Sequence, residues 1–211
     1  MDGLGLAGDA PEPWVLVRGG GLFDIVVTGV GKANAAGAIA RVLDPSMHRG
    51  VLSVGVGGAL PGSGLEIGEA VAASRSVFGD EGVGSESGLI PMDELGLGSF
   101  PDGSMGRDHD PWLVGRLASV CDRRGTIATV SCCSGTDVRA AALARETGAI
   151  AEAMEGAGVA LAGARVRPVL PTGEVRVISN TTGDRGGQRW DLDAGLAGLA
   201  SVLGRVAGAL G

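Results

Sequence analysis

Tyrosine is absent from this sequence of 211 residues, and its aromatics, three Trp and three Phe, amount to 3%. A core built on stacked rings is therefore excluded. With 40 Gly and many Ala and Val, the composition points to closely packed elements carrying small side chains. Cysteine is scarce too. There are three, an odd number, and two are adjacent, Cys132 and Cys133. Neighbouring thiols rarely bond, because the geometry is strained, so both are expected to be small buried thiols. No metal-ligand spacing is present, and only His48 and His109 could join them. This excludes a metal centre and a disulfide framework, and leaves a reduced, cytoplasmic protein as the simplest reading. Clusters of Lys and Arg are missing and the net charge is −7, which argues against a nucleic-acid partner. The opening "MDGLGLAGDAPEPW" lacks a basic segment followed by an apolar run, so it does not read as a signal peptide. The most apolar stretch, Leu192 to Gly211, carries Asp193 and Arg205. Its large apolar residues recur at helical spacing, which predicts a packed amphipathic helix rather than a membrane span.

Short β-branched runs alternate with Ala-rich helical patterns. "WVLVR" and "FDIVVTG" read as strands joined by the "GGG" turn, and "KANAAGAIARVLD" as a helix. "VLSVGVGG" and "GEAVAASRSVF" read as strands. Gly79 to Pro111 is rich in Gly, Ser, Asp and Pro, the composition of a long surface segment, and His109 in "GRDHDP" is expected to be solvated there. "PWLVGRLASVCDRRG" is predicted as a helix, "TIATVS" as a strand and "DVRAAALARETG" as a helix. Then come the strand "AIAEAM", the helix "EGAGVALAGA", the strand "GEVRVISN" and the C-terminal helix. This alternation predicts one α/β domain over 1–211: three layers, with a mixed, mostly parallel central sheet flanked by helices.

In such sheets ligands gather beyond the carboxyl ends of strands. Three places qualify: "GVGGAL", Met154-Glu155 and Ser179-Asn180. "TGVGKAN" is not a P-loop and "GVGGAL" is not a dinucleotide fingerprint. Both read either as plain tight turns or, at Gly57 and Gly58, as backbone opened to a ligand. Glu155 interrupts an apolar run, and a buried carboxylate needs a partner. It either stabilises a helix N-terminus or meets a cation or ligand. Asn180 could be a turn residue, and Met154 core filler.

The ordered set "TGVGKANAAGA", "GVGGALPGSGLEIGEAVAAS", "AEAMEGAGVA", "GEVRVISNTTGDR" and "RWDLDAGLAGLA" resembles the purine nucleoside phosphorylase/nucleosidase superfamily. Within it the set is most similar to futalosine hydrolases, with methylthioadenosine/S-adenosylhomocysteine nucleosidases as nearest relatives. The resemblance implies a nucleoside phosphorylase-like fold and cleavage of an N-ribosidic bond by water, releasing hypoxanthine in menaquinone synthesis. It implies no cofactor, a small purine nucleoside as partner, no membrane, and a homo-oligomer. Glu155 matches the glutamate that accepts from the ribose 2′- and 3′-hydroxyls, and an ionised carboxylate, acceptor-only, suits a diol. Met154 matches the residue packed on the sugar. Asn180 matches the base-reading position, and its amide suits a 6-oxopurine. Trp190 matches an aromatic lining the base pocket. Gly57 and Gly58 match the loop beneath the ribose, and Cys133 and Ser134 a base-contacting segment. Relatives open with a strand whose end carries a water-activating glutamate. This sequence reaches "GVGK" too early to hold that strand, and upstream offers only Asp2, Asp9, Glu12 and Asp24. The same family also implies alternatives: a nucleosidase or phosphorylase for another purine nucleoside such as methylthioadenosine, or a degenerate nucleoside-binding member.

Overall fold

The computed structural model describes residues 11–19, 21–86 and 88–211. The expectation about the N-terminal stretch, and Asp2 and Asp9, fall mostly or wholly outside them. Strands β1 (Leu16–Arg18) and β2 (Asp24–Val26) pair as an antiparallel hairpin, as their β-branched runs predict. Helix α1 (Lys32–Val42) follows, and its small face carries Ala35, Ala38 and Ile39 inward. Strand β3 (Val51–Ala59) and strand β4 (Ala70–Phe78) then enter the main sheet. Successive residues of β4 point to opposite faces. Val71 and Ala73 join one core cluster with Ile127 and Ile178, while Ala70 and Ala72 join a second with Leu117 and Val202.

The stretch expected as one long surface segment is more ordered than its composition suggests. It holds the hairpin β5 (Gly82–Ser85) and β6 (Gly88–Pro91), and a short strand β7 (Gly106–Asp108) on the edge of β4. Phe100, Met105 and His109 are buried within it, so His109 is not solvated. Helix α2 (Pro111–Ala118) starts with Pro at its first turn and an Asp110 side chain accepting from Leu113 N–H. It is shorter than predicted. Asp122 takes the chain out of the helix by bonding Ala70, through both its own N–H and its side chain, so that Arg123 already opens strand β8 (Arg123–Thr129). Periodicity alone does not show such a tertiary dock.

Helix α3 (Asp137–Thr147) is capped by Thr136 and closed by Gly148 in the left-handed conformation. Strand β9 (Ala149–Ala153) leads directly to helix α4 (Gly156–Arg165), which lies against α1. Strand β10 (Thr172–Thr181) has nine of its ten residues buried. Helix α5 (Leu192–Leu210) closes the chain, burying Val202 and Val206 against the second core cluster. Among the described residues it is the one helix long and apolar enough to cross a membrane by length and composition. Here it packs along the sheet.

The six-stranded sheet runs β10-β3-β9-β8-β4-β7. Its long ladders, β3 with β10 and β4 with β8, are parallel, as expected. The difference from an open sheet is a further antiparallel pairing of β10 with β4, which closes the sheet on itself. Three small residues in β4, Ala70, Ala72 and Ala73, and a register shift beside Arg75 accompany the tight curvature. Strand β3 is bonded to β10 along its length. On its other edge it meets β9 only at Gly58 and Ala59, so Val51 to Gly57 show no second strand partner among the described residues.

Candidate active site

Three strand-end segments meet: β3 at Gly57 and Gly58, β9 at Met154-Glu155, and β10 at Ser179-Asn180. Strands β3 and β10 run parallel, and β9 joins them by pairing antiparallel to β3 at Gly58 and Ala59. All of these residues, with Cys133, Ser134 and Trp190, line one cavity of about 1820 Å3. That exceeds the few hundred to 1,000 Å3 of an ordinary small-molecule pocket. The cavity runs from the strand ends along the open edge of β3, under the β1–β2 hairpin and the apolar face of α5.

Glu155 precedes α4 but does not cap it, since its side chain bonds none of that helix's N–H groups. It turns instead to two partners. Oε1 accepts from Gly31 N–H at 2.9 Å, and Oε2 accepts from Arg176 Nη1 at 3.0 Å. The protein therefore supplies the cation that the apolar run called for. The side chain keeps 17% of its surface open, against 3% for Arg176. Each carboxylate oxygen has spent one acceptor site and retains another.

Asn180 is buried, and its amide is oriented by its neighbours. Ser179 Oγ donates to Oδ1 at 3.0 Å, and Nδ2 donates to the Thr181 carbonyl at 3.0 Å. One N–H and one lone pair remain for a ligand. Gly58 exists to admit this amide: a Cβ there would lie 2.9 Å from Asn180 Nδ2 and 2.9 Å from Thr182 Cγ2. At Gly57 a Cβ would meet the Glu152 carbonyl at 2.8 Å. The close approach made possible by both glycines is thus to the protein's own atoms. Trp190 stands at the rim, exposed, with its backbone bridged to Asn180, Arg185 over its ring, and Nε1 donating to Gln188.

Cys132 and Cys133 are exposed rather than buried, because the segment after β8 leaves the sheet before it turns into α3. Desolvation beside the cavity, reinforced by the Glu152 carboxylate, pushes the Cys133 thiol up, which disfavours the nucleophilic thiolate. Ser134 is buried, and both its N–H and Oγ donate to Glu152, at 2.9 and 2.6 Å. Burial raises the Glu152 carboxyl. Of the upstream carboxylates, Glu12 is exposed on a turn, and Asp24 lines the far cavity, where it accepts from Arg18.

Sequence reasoning missed Glu152, Arg176 and Glu174. Glu174 and Arg176 sit two apart on a strand with nine of its ten residues buried, so both point to one face. Two opposite charges on a buried face demand each other, and that signal was available in "GEVRV".

The described residues contain no group of His, Cys, Asp and Glu able to hold a metal ion. The fold and strand-end site define a nucleoside-processing class, and the comparisons agree. The phosphorylase superfamily model matches residues 16–207, and the chain belongs to that superfamily. It is 34% identical over 192 residues to the futalosine hydrolase of Streptomyces coelicolor, covering 88% of this chain and 78% of that protein. It is 36% identical over 204 residues to the futalosine hydrolase of Acidothermus cellulolyticus (92% and 80%). Within the superfamily it falls among the futalosine hydrolases. Among solved structures, the S-adenosylhomocysteine nucleosidase of Streptococcus pyogenes, in complex with 5-methylthiotubericidin, superposes with a TM-score of 0.66 at 22% identity, over 89% of this chain and 76% of that one. The methylthioadenosine/S-adenosylhomocysteine nucleosidase of Neisseria meningitidis, in complex with methylthio-immucillin-A, gives 0.68 at 20%, over 89% and 80%. These two show the fold.

Proposed function

We propose that the chain hydrolyses the N-glycosidic bond of futalosine and releases hypoxanthine, as a step in menaquinone synthesis. Water adds to the ribose anomeric carbon, the bond from that carbon to the base nitrogen breaks, and its electron pair leaves with the base, which takes up a proton. The observation that carries this reading is Glu155. It is a carboxylate with free acceptor capacity, open to the cavity and held by Arg176 and Gly31 N–H. It accepts from the ribose diol and places negative charge beside a sugar that becomes cationic in the transition state. Met154 packs on the sugar, Asn180 reads the base, and Ser134, Cys133 and Trp190 line the base end.

Hydrolysis is favoured over phosphorolysis by how the two cations at the Gly29–Gly31 turn and beside Glu155 are used. Lys32, just past the Gly29–Gly31 turn, is paired with Asp80 and Glu81, and Arg176 is taken by Glu155, Glu174 and Ser53. Neither is spare for a phosphate. The open edge of β3 supports the reading that the family's opening strand, with its water-activating carboxylate, belongs beside Val51 to Gly57. A cytoplasmic homo-oligomer, as the family resemblance implies, completes the proposal. The test is chromatographic release of base from futalosine, inosine and methylthioadenosine, with and without phosphate. Hypoxanthine release from futalosine, independent of phosphate, is expected. Phosphate-dependent cleavage, or adenine release alone, overturns the reading.

A further inference from the structure

Behind Glu155 lies a chain of buried polar side chains that reaches across the barrel. Arg176 divides its guanidinium three ways: Nη1 to Glu155, Nε to Glu174 Oε1 at 2.8 Å, and Nη2 to Ser53 Oγ at 2.6 Å. Glu174 is fully buried, and its second oxygen accepts from Ser76 Oγ. Ser76 Oγ also lies 2.7 Å from His109 Nε2, and His109 Nδ1 lies 3.0 Å from Thr172 Oγ1. The proton positions follow from acceptor counting. The serine proton goes to the carboxylate, so the serine oxygen must accept from His109 Nε2–H, and the bare Nδ1 must accept from the Thr172 hydroxyl. Burial disfavours the charged imidazole, in keeping with this neutral tautomer. Every donor in the row thus points toward Glu174.

The local sequence makes room for the arrangement. A Cβ at Gly156, the residue after Glu155, would collide with both oxygens of Glu174, although Gly156 has no left-handed backbone to explain its identity. The buried carboxylate has a shaped slot under the start of α4.

We propose that Glu174 is a positioning residue for the glycosidic reaction, acting on Glu155 through Arg176. The proposal rests on the assignment of Glu155 to the ribose diol. A free guanidinium tends to grip a carboxylate with two parallel N–H bonds. Such a grip, added to the Gly31 N–H, would leave Glu155 a single free acceptor site, one short of the two a diol needs, and would draw it from the cavity. Glu174, fixed by Ser76 and His109, claims Nε and turns the fork so that a single N–H reaches Glu155. The diol-binding carboxylate is then oriented but not saturated.

The test compares kcat/KM for the ribonucleoside that the wild type cleaves fastest with that for its 2′,3′-dideoxy analogue, in wild type, Glu174→Gln and Ser76→Ala. Glu174→Gln is expected to lose about tenfold to a hundredfold on the ribonucleoside, the scale of one charged hydrogen bond, and less than about threefold on the dideoxy analogue. Ser76→Ala should show the same selectivity with a smaller loss. In a Glu155→Gln background, Glu174→Gln should cost little more, since the two act as one unit. Equal losses on both substrates mean a merely structural role and overturn the proposal. If Glu174→Gln does not fold, Ser76→Ala decides alone, and an unselective or absent loss overturns it. A wild type indifferent to the hydroxyls overturns the diol assignment itself, a distinct result that removes the proposal's basis.

Discussion

Gly55 of β3 is the register partner of Arg176 in the parallel ladder with β10, and a Cβ on Gly55 would land on Arg176 Nη1. The guanidinium reaches Glu155 only because its neighbour across the strands has no side chain. One prediction follows from that contact. Gly55→Ala should displace Nη1, free Glu155, and lower kcat/KM in the same direction as Glu155→Gln. The latter should cost roughly 100-fold or more, the scale of losing an electrostatic stabiliser of the transition state. Steady-state rates on futalosine check both. A Glu155→Gln protein with normal activity would end the catalytic role assigned to this carboxylate.

Arg176 also decides a stability question. It lies between two carboxylates, one fully buried. Removing the cation leaves both uncompensated, so Arg176→Met should destabilise the fold by about 3–5 kcal/mol. Arg176→Lys keeps the charge, yet a single ammonium cannot reproduce a planar fork serving Glu174, Glu155 and Ser53 together. It should fall between wild type and Met in urea denaturation. A Met variant as stable as wild type would show that the triad is replaceable by packing.

The parts of this molecule that were legible in the sequence are those governed by local pattern. Val71/Ala73 against Ala70/Ala72 is strand alternation, and α3 is announced by Thr136 and Gly148. The strand ends at Glu155 and Asn180 read as ligand-gathering positions, and the resemblance supplied their roles, but they meet through the antiparallel pairing of β9 with β3. What the sequence hid is tertiary. Asp122 ends α2 by docking on Ala70, fifty-two residues away. Closure of the sheet by β10 on β4 has no local signature. His109 sits in a polar stretch but is buried, because Ser76 and Thr172, both distant, supply its partners. Cys132 and Cys133 look like core filler by composition, and lie exposed on a segment that leaves the sheet.

His109 gives the fold a pH dependence of defined sign. Burial lowers its pKa from the ordinary 6.5. The groups around it are Ser76, Thr172 and Glu174 in the core, with Arg107 and Asp108 beside it in the chain. Above about pH 6.5 folded and unfolded chains both carry it neutral. Below that, the unfolded chain takes a proton that the folded chain resists, so stability is lost as pH falls from 6.5 toward the folded value. Glu152, raised from 4.5 by burial, acts in the opposite sense: its contribution is lost as pH rises from 4.5 toward its folded value. Urea midpoints at about pH 7.5 and 5.5, in wild type and His109→Gln, isolate the histidine. Wild type should lose more on acidification than the variant, and parallel losses would contradict the neutral buried imidazole.

Asn180 sets the choice of base. Its amide is held by Ser179 on the oxygen side and by the Thr181 carbonyl on the nitrogen side. The remaining N–H can donate to O6 of a 6-oxopurine while the remaining lone pair accepts from a protonated N7. Adenine presents an amino group where hypoxanthine presents O6, so the fixed amide would set donor against donor. Turning the amide over would mend that contact, but it would break both bonds that orient it and point NH2 at the N7 proton. A buried mismatch of this kind costs about 1–3 kcal/mol, or one to two decades in rate. Asn also cannot hand a proton to N7, so the leaving base draws its proton from solvent or from another group. An aspartic acid in its place could both accept from the adenine amino group and deliver a proton. Wild type should therefore favour hypoxanthine nucleosides over adenine nucleosides by about tenfold to a hundredfold, and Asn180→Asp should shift the ratio toward adenine. The measurement is kcat/KM on paired inosine-type and adenosine-type substrates in both proteins. If the wild type prefers the adenine member, Asn180 does not read the base and the release of hypoxanthine loses its structural support.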